Sequence, residues 1–452
     1  MRLKLGIPLT LGKLAEFFDA EIRCASALTV THITTDSREA LAGDLFIALL
    51  GTKLSGEDFI GDAKTRGAFT LGTADDADLC SKNINISLCQ FITAYKSLLK
   101  NLKYTVAITG SVGKTTTKEF LLSAASTLGV AHGTHQNYNN LLGAFITMAT
   151  APRDVEFLVF EIGMNHAGEI EEISKSIQPN FAVITNVSVC HIENLLSIEN
   201  IAKAKLEIKA GLKSGPLLCP KNDPKLSEAA SLTFSVNENS ADYSLFSVGN
   251  FLHFYVKGID TLTFGSRFFA RHHVSAICIA LGFVSHVTKE RAALERAAVR
   301  INETVLRQNF ISIRHFKIFD DTYSSSPDAV IADLEFLGHL DGVKSCALGD
   351  MLELGSYAEA MHRKIGTAAA RHGIDKLFLF GKFAKHTEAG AIEGGIPPSK
   401  IFINTEISAP EITAKQIWQT ASENETVLIK ASHSLNAYKI IEILERMNKN
   451  AR

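Results

Sequence analysis

The sequence predicts an α/β protein of three domains, because the chain is long and two of its stretches alternate apolar runs with helical periodicity. At 452 residues, it exceeds the length that one hydrophobic core usually supports. The alternating stretches begin at Tyr104 and after Arg307. Such alternation is typical of a parallel sheet covered by helices, and the shorter, mixed pattern before it predicts a smaller mixed α/β domain. We place the domains at residues 1–102, 103–311 and 312–452.

Apolar runs mark the predicted parallel strands. In the central domain they are YTVAI, EFLVFEIG and NFAVITNV, separated by helix-like sequence after Lys114 and followed by a predicted helix from Ser197 to about Leu212. The glycine- and aromatic-rich stretch from Leu217 to Phe269 predicts antiparallel strands. In the C-terminal domain, which we expect to be Rossmann-like, the runs are FKIFDD, KSCALGDM, DKLFLFG and TVLIKAS.

The composition predicts a soluble globular protein without an obligatory polyanionic partner. Hydrophobic residues make up 46% of the chain, charged residues 21%, and the formal net charge is −2. Because no run of five like charges occurs, we expect no nucleic-acid partner. No apolar stretch of 18 residues occurs, so we expect no membrane span and a cytoplasmic location. The 7 cysteines include no C-x-x-C pair, which argues against a disulfide framework and a structural zinc site.

The stretch TGSVGKTTT, between the first central strand and a predicted helix, indicates a phosphate-binding P-loop. Gly110 and Gly113 allow a tight turn with inward-facing amides, and Lys114 adds a positive charge. Thr115 adds a hydroxyl suited to Mg²⁺, and the positive end of the helix faces the same anion. The full P-loop pattern has a glycine where this chain has Ile108, so the alternative is a glycine-rich turn that binds nothing.

Two candidate metal ligands follow the next apolar runs. Glu161 ends the run from Phe157, and His191 follows the run from Phe181. We expect both at the carboxyl edge of the sheet, where ligands of open α/β sheets bind. Mg²⁺ prefers hard oxygen donors such as a carboxylate. The alternatives are that Glu161 caps a helix and that His191 is structural.

Lys205 interrupts an apolar face of the helix for which Ser197 is the expected N-cap. The apolar residues of that face are Ile198, Ile201, Ile208 and Leu212. At helical spacing Lys205 falls among them, so its amine is predicted to point inward. Two interpretations stay open: the ammonium reaches water past a buried stem, or the buried amine carries a modification or acts in catalysis.

Several blocks of the sequence together resemble the Mur ligase family over nearly the whole chain. The loop from Gly110 to Thr116 matches the family pattern G-x-x-G-K-[ST]-[ST]. The other matching blocks are DSR with GDLFIAL, NYNN, AVITNV with HIE, IAKAKLEI around Lys205, and LGDMLELG followed by His362. Within the family they are most similar to the member that adds D-alanyl-D-alanine.

The resemblance implies an ATP-dependent amide ligase of peptidoglycan synthesis. ATP, with Mg²⁺, would phosphorylate the terminal carboxylate of UDP-N-acetylmuramoyl-tripeptide, and the amine of D-alanyl-D-alanine would attack the acyl phosphate. Phosphorylation activates a carboxylate that otherwise resists an amine, while positioning and the metal stabilise the transferred phosphoryl group. We expect the protein to act as a monomer.

The resemblance also implies residue roles at the phosphate loop. The nucleotide phosphates would contact Gly110, Ser111, Val112, Gly113, Lys114, Thr115 and Thr116. Thr115 and Glu161 would bind one Mg²⁺, and His191 a second. Lys205 would be the family's carbamylated lysine, in which a carbamate able to bind metal replaces the inward cation. The catalytic residues would be Lys114, His191 and Lys205.

Further roles are implied in the outer domains. The UDP-linked substrate would contact Ser37, Arg38, Gly51, Asn137 and Asn140. The C-terminal nucleotide contacts would be Arg307, Asp321 and Tyr323. The planar guanidinium of Arg38 suits a pyrophosphate because its donors form a fork.

Four departures from the family pattern cluster in the nucleotide and acceptor regions. YSSSP replaces YNANP from Tyr323, KASH replaces KGSR from Lys430, Ala276 occupies a usual asparagine position, and Ser55 a usual aspartate position. Because alanine cannot make the hydrogen bonds of asparagine, a degenerate nucleotide-binding relative stays open.

The sequence also leaves open a ligase that adds a single amino acid, as in sister Mur ligases or folylpolyglutamate synthase, and a P-loop switch protein. The Lys118–Glu119 pair after the loop and the block LGDMLELG favour the dipeptide-adding member over its sisters. A GTPase switch would need an N-K-x-D motif to read its base, and the sequence has none.

Overall fold

Three sheets organise the described part of the chain, which comprises residues 1–51, 54–136, 138–189, 192–266, 271–304, 309–322, 324–406 and 409–450 of a computed structural model. Within these residues the sheets contain six, nine and six strands in chain order. The predicted α/β class with three sheet-containing domains is confirmed. The domain boundaries stay predictions.

The N-terminal sheet is mixed. Its strands are β1 (Arg2–Thr10), β2 (Glu21–Ile22), β3 (Thr29–Thr34), β4 (Leu45–Ile47), β5 (Phe69–Gly72) and β6 (Leu79–Cys80), in the order β1-β3-β4-β5-β6-β2. The pairs from β3 to β6 are parallel, whereas β1 and β2 pair antiparallel with β3 and β6. The helices of this domain are α1 (Leu11–Phe18), α2 (Ile60–Thr65) and α3 (Ile84–Lys96).

The central sheet carries the phosphate loop after its inner strand Tyr104–Thr109, which lies between the strands Phe181–Ile184 and Phe157–Glu161. Its strands are β7 (Tyr104–Thr109), β8 (Ala131–Gly133), β9 (Phe157–Glu161), β10 (Phe181–Ile184), β11 (Leu217–Pro220), β12 (Leu232–Val236), β13 (Tyr243–Val248), β14 (Phe251–Val256) and β15 (Ile259–Gly265). The order is β15-β14-β13-β12-β11-β10-β7-β9-β8. The three predicted parallel strands β7, β9 and β10 are neighbours. The stretch from Leu217 was predicted to contain antiparallel strands. The pairs β13–β14 and β14–β15 are antiparallel, whereas β10–β11 and β11–β12 are parallel.

The helices of the central domain cover both faces of its sheet. They are α4 (Lys114–Ala125), α5 (Leu141–Ala149), α6 (Glu169–Ile177), α7 (Ile192–Leu195), α8 (Ile198–Leu206), α9 (Pro224–Ser227), α10 (Arg271–Val287) and α11 (Arg291–Asn302). Ser197 caps α8 as predicted, because its side chain accepts from the Asn200 amide at 3.1 Å. The α-helix ends earlier than predicted, at Leu206, and continues as a 3-10 turn to Gly211.

The C-terminal sheet is open and mostly parallel, as a Rossmann-like domain requires. Its strands are β16 (Asn309–Ile313), β17 (Phe316–Asp320), β18 (Lys344–Leu348), β19 (Lys376–Phe380), β20 (Ile401–Asn404) and β21 (Thr426–Lys430), in the order β16-β17-β21-β18-β19-β20. The helices are α12 (Pro327–Gly338), α13 (Ala358–Arg371), α14 (Ala384–Glu393), α15 (Ala409–Thr420) and α16 (Tyr438–Asn450). The four predicted strands are present; β16, antiparallel to β17, and β20 were not predicted.

A cluster of aromatic rings joins the N-terminal domain to the central one. Phe91 on α3 stacks on Phe18 of α1 at 4.7 Å between ring centroids and meets Phe145 of α5 at 4.9 Å. Such pairs add to the burial of apolar area, so the cluster fixes α5 against the N-terminal sheet. Across all described residues, the helices are too short or too polar to span a bilayer.

Candidate active site

The loop between β7 and α4 has the backbone that its glycines permit. Gly110 has φ +149° and Gly113 has φ +82°, a region that side-chain-bearing residues rarely adopt. A Cβ atom on Gly110 would lie 1.9 Å from the Thr185 hydroxyl. Glycine is therefore required at position 110 by both conformation and space, as the sequence predicted.

The segment after β10 braces the loop. The Thr185 hydroxyl donates to the carbonyl of Val112 at 2.7 Å, and the Asn186 amide side chain pairs with both backbone groups of Val112 at 2.9 and 3.0 Å. The amide of Ser111 donates to the Asn186 carbonyl at 3.1 Å. These contacts hold the loop in shape. Neither Thr185 nor Asn186 was singled out from the sequence.

Lys114 begins α4 and folds back over the loop. Its Nζ donates to the carbonyls of Gly110 at 2.7 Å and Ser111 at 3.3 Å. Thr115 and Thr116 follow in the first turn, where the helix dipole favours an anion. The predicted phosphate-loop residues thus form one half-buried, positively charged site at the carboxyl edge of the sheet.

Glu161 ends β9 beside this loop and is 4% exposed. Its Oε1 accepts from the Thr115 hydroxyl and from Asn139 Nδ2, both at 3.1 Å. Its Oε2 is buried and has no hydrogen-bond partner among the described residues. A buried, uncompensated carboxylate oxygen is costly, and a divalent cation would offset that cost. The alternative that Glu161 caps a helix is wrong, because α6 begins only after Gly168.

The donor set at Glu161 suits Mg²⁺. In the described part of the chain, no three histidine, cysteine or acidic side chains converge on one point. A cation here would have one carboxylate and the Thr115 hydroxyl as protein ligands. Mg²⁺ accepts such a sparse set because it keeps waters and binds phosphate oxygens. Asn139, which orients Glu161, was not singled out from the sequence.

Lys205 is inward, as its spacing predicted. It lies on α8 with 1% of its surface exposed, in a region whose core includes Ile201 and Ile208. The interpretation that its ammonium reaches water is therefore wrong. His191 lies outside the described residues, so its role as ligand of a second Mg²⁺ stays a prediction, as does the carbamate on Lys205.

The predicted UDP contacts lie at the edge of the N-terminal domain. Arg38 is exposed and forms a two-bond pair with Asp36, at 2.9 and 2.7 Å. These bonds lower the pKa of Asp36 to about 2. Ser37 between them is buried. Gly51 closes a turn through its amide, which donates to the Leu54 carbonyl at 3.1 Å.

A cavity of about 340 Å³ lies between the N-terminal sheet and α5. Thr34 and Thr35 line it from one side and Tyr138 and Asn140 from the other. Asn140 also caps α5, because its Oδ1 accepts from the Gly143 amide at 3.0 Å. The cavity extends from the strand that precedes Ser37, so it continues the predicted substrate edge. Asn137 lies outside the described residues.

The C-terminal edge carries a charge cluster that the sequence did not predict. Lys430 forms ion pairs with Asp321 and, at 3.0 Å, with Asp333. Lys430 and Asp333 are 1% and 2% exposed. Burial raises the pKa of Asp333 well above its usual value. Asp321 thus lies at the expected edge but is engaged by Lys430, and the other predicted contacts there, Arg307 and Tyr323, lie outside the described residues.

The central and C-terminal domains meet close to the phosphate loop. The amide of Glu193 on α7 donates to the carbonyl of Glu353 at 3.3 Å. Glu353 has φ +62° and is followed by Gly355 at φ +50°. The block LGDMLELG therefore contacts helix α7, which follows β10 in the chain.

Comparisons with known proteins agree with this arrangement. Three family models match: the Mur ligase family catalytic domain at residues 29–90, the Mur ligase middle domain at 108–284 and the Mur ligase glutamate ligase domain at 306–433. The chain belongs to the Mur ligase family.

Relatives match over nearly their whole length. The UDP-N-acetylmuramoyl-tripeptide–D-alanyl-D-alanine ligase of Bacillus subtilis is 31% identical, over 92% of this chain and 93% of that protein. The ligase of the same name from Rickettsia prowazekii is 29% identical, over 93% and 96%. The fold matches a crystal structure of MurF from Acinetobacter baumannii with a TM-score of 0.85, at 24% identity over 98% and 100% of the two chains. A MurF structure from Thermotoga maritima in complex with ADP matches with a TM-score of 0.78, at 23% identity over 93% and 98%.

Proposed function

We propose that the protein is an ATP-dependent ligase of peptidoglycan precursor synthesis that joins D-alanyl-D-alanine to UDP-N-acetylmuramoyl-tripeptide through an acyl phosphate. The observation that carries the proposal is the pairing of Glu161 with Thr115 beside a braced phosphate loop, in a member of this family. The full-length relatives of that name support the choice of substrates.

The phosphate loop positions the nucleotide. The loop amides and Lys114 bind the phosphate oxygens of ATP, and the start of α4 adds its dipole. Thr115 and Glu161 would hold Mg²⁺, which would neutralise charge on the phosphates. Because Thr185 and Asn186 already brace the loop, little reorganisation is needed when ATP binds, and preorganised donors are the most effective ones.

The N-terminal edge receives the UDP-linked substrate. Arg38 is exposed and already carries a carboxylate, Asp36, on its guanidinium fork. A pyrophosphate would exchange with that carboxylate at the same donors. The cavity that Asn140 lines leads from this edge toward the central domain, so the tripeptide would extend along it with its terminal carboxylate at the phosphate loop.

Lys205 is proposed to carry a carbamate. A buried charge is costly unless it is paired or binds a metal. Carbamylation would convert the amine of Lys205 to a carbamate, and a bound metal ion would compensate the negative charge of that carbamate. Its 1% exposure supports a role other than a surface cation. ¹³C-bicarbonate labelling should give a carbamate resonance that is absent from Lys205→Ala. We further propose that the protein acts as a monomer and that it is located in the cytoplasm, where ATP is available.

The test is phosphate release by the purified protein with ATP, Mg²⁺ and UDP-N-acetylmuramoyl-tripeptide, comparing D-alanyl-D-alanine, single amino acids and no acceptor. The proposal predicts release that requires both the tripeptide and the dipeptide. Release with a single amino acid would favour a sister ligase, and release without acceptor a switch or uncoupled ATPase. No release under any condition would favour a degenerate relative and direct attention to YSSSP, Ala276 and KASH.

A further inference from the structure

Lys118 is a buried lysine one turn beyond the phosphate loop on α4. It is 0% exposed. Its Nζ donates to the carbonyls of Thr134 and Gln136, both at 2.8 Å, and forms an ion pair with Glu119 at 2.9 Å. An ammonium group has three donors, and these three partners use them all. Lys118 therefore ties α4 to the segment that follows β8.

That segment leads directly to the carboxylate of the metal site. The Thr134 hydroxyl accepts from the amide of Glu161 at 3.0 Å, and Asn139 Nδ2 donates to Glu161 Oε1 at 3.1 Å. Between them Gln136 has φ +49°, a conformation that a residue with a side chain adopts at a cost. The Gln136 carbonyl is one of the two that Lys118 holds, so the lysine stabilises the strained turn.

We propose that Lys118 is a positioning residue that sets the Glu161 carboxylate for Mg²⁺. It acts through its contacts with Thr134 and Gln136, since Thr134 and the nearby Asn139 both bond Glu161. Lys118 does not contact Glu161; it fixes the turn that delivers Asn139 to Oε1, which leaves Oε2 for the cation. Asn140, the residue after Asn139, lines the cavity, so Asn139 lies next to the tripeptide side of the proposed site. The inference rests on the proposed function, in which Glu161 binds Mg²⁺ beside ATP.

A structural role alone would predict something different. A lysine that only stabilises the fold would, when replaced, lower thermal stability and leave the metal dependence of nucleotide binding unchanged. Lys96 on α3 is a matched control, because its Nζ also donates to two backbone carbonyls, Ile177 at 2.8 Å and Gln178 at 2.7 Å. Those carbonyls end α6 and do not contact Glu161.

The experiment is calorimetric binding of ADP at a series of Mg²⁺ concentrations to the full chain and to K118M, K96M and N139A. We expect K118M and N139A each to weaken the apparent Mg²⁺ affinity by about 10- to 100-fold, the range for groups that orient metal ligands. Affinity for ADP without Mg²⁺ should stay unchanged. K96M should keep the Mg²⁺ dependence of the original protein.

The double variant K118M/N139A measures whether the two residues act through one path. If they do, its loss of Mg²⁺ affinity is smaller than the product of the two single losses. Equal Mg²⁺ affinity in K118M and in the original protein would overturn the inference. If K118M lacks a cooperative unfolding transition, N139A provides the test. An unchanged Mg²⁺ affinity in N139A would overturn the inference, because Asn139 is the residue through which Lys118 is proposed to act on Glu161.

These outcomes separate the inference from the function on which it rests. The measurement needs ADP and Mg²⁺ binding but no turnover. If the original protein shows no Mg²⁺-dependent ADP binding, the proposed function fails and the inference with it. If the original protein binds and K118M and N139A bind equally well, the inference alone fails.

Discussion

The carboxyl edges of the central and the C-terminal sheets differ in whether their buried charged side chains have partners of opposite charge among the described residues. At the central edge, Glu161 keeps one buried oxygen without a hydrogen-bond partner among the described residues. At the C-terminal edge, Lys430 lies between Asp321 and Asp333. An uncompensated buried charge is expensive, so the first edge is built for a ligand that supplies the missing charge. The C-terminal edge contains both a cation, Lys430, and its carboxylate partners, so we infer that these charges stabilise the structure of that edge.

This difference in charge compensation suggests different roles for the central and the C-terminal domain. The central edge has donors and acceptors that a nucleotide and a cation would complete. The C-terminal domain meets the central one through the contact between Glu193 and Glu353. Among the described residues of the YSSSP block, Ser325 Oγ is buried without a hydrogen-bond partner.

The largest effect is expected from Lys430→Met, which removes the cation from the compensated edge. Two carboxyl groups would remain, one of them fully buried, and breaking a buried pair in this way typically costs about 3–5 kcal/mol. We expect the unfolding transition of the C-terminal domain to shift to lower urea concentration by a corresponding amount. The second substitution Asp333→Leu on this background should recover part of the loss. An unchanged transition in Lys430→Met would show that the cluster does not hold the edge.

Lys114→Ala tests the other edge. It removes the charge that the proposal places on the phosphates, and loss of one preorganised group of this kind costs about 10²- to 10³-fold in turnover. Because Lys114 is half-buried and its hydrogen bonds among the described residues go to loop carbonyls, at 2.7 and 3.3 Å, the thermal midpoint should stay close to that of the original protein. Phosphate release and thermal unfolding are the two measurements. Loss of cooperative unfolding would mean that the loop lysine is structural.

Glu161→Gln sharpens the comparison by separating charge from shape. An amide keeps the size of the side chain, and its oxygen can still accept from Thr115 and Asn139. A buried neutral amide costs less than a buried unpaired charge, so the variant without metal should be more stable than the original protein, while Mg²⁺ no longer stabilises it. Urea unfolding with and without Mg²⁺ measures both effects. Lower stability in the metal-free variant would show that the carboxylate is already compensated.

The part of the site that the sequence predicted is local. Gly110, Gly113 and Lys114 lie within five positions, so the chemistry of the loop and its place between strand and helix follow from neighbouring residues. The inward direction of Lys205 follows from helical spacing in the same way. Each of these predictions depends on the geometry of one element, which periodicity and turn chemistry determine.

The residues that were not predicted act across elements. Asn186 braces the loop from 74 positions away, and Asn139 reaches Glu161 across 22. Lys430 meets Asp321 across 109. Nothing in the local pattern around an asparagine or an aspartate distinguishes such a contact from a solvent-exposed turn, because the partner is set by sheet order. The short strand β20 was missed for a related reason, since its four residues carry no clear period.

The smallest effect concerns pH and compares a half-buried histidine of the central domain, His132, with a buried one of the C-terminal domain, His362. His362 accepts from the Met351 amide at Nε2, at 3.0 Å, and its Nδ1 donates to the Ala358 carbonyl at 2.7 Å, so the neutral ring is required. Burial lowers the pKa of His362, and burial also lowers that of His132 in the central domain. A lowered histidine pKa gives stability that is complete above the unfolded value of about 6.5 and is lost as pH falls below it.

We therefore expect the stability of both domains to fall between pH 6.5 and 5, by at most about 1.4 kcal/mol per pH unit for each histidine. His362→Gln should remove this slope from the C-terminal domain and leave it in the central one, because glutamine does not titrate. Thermal midpoints of the two domains from pH 5 to 8, in the original protein and the variant, measure the difference. If the thermal midpoint of the C-terminal domain still falls between pH 6.5 and 5 in His362→Gln, other titrating groups cause the pH dependence. The contact between His362 and the Met351 amide would then not contribute to it.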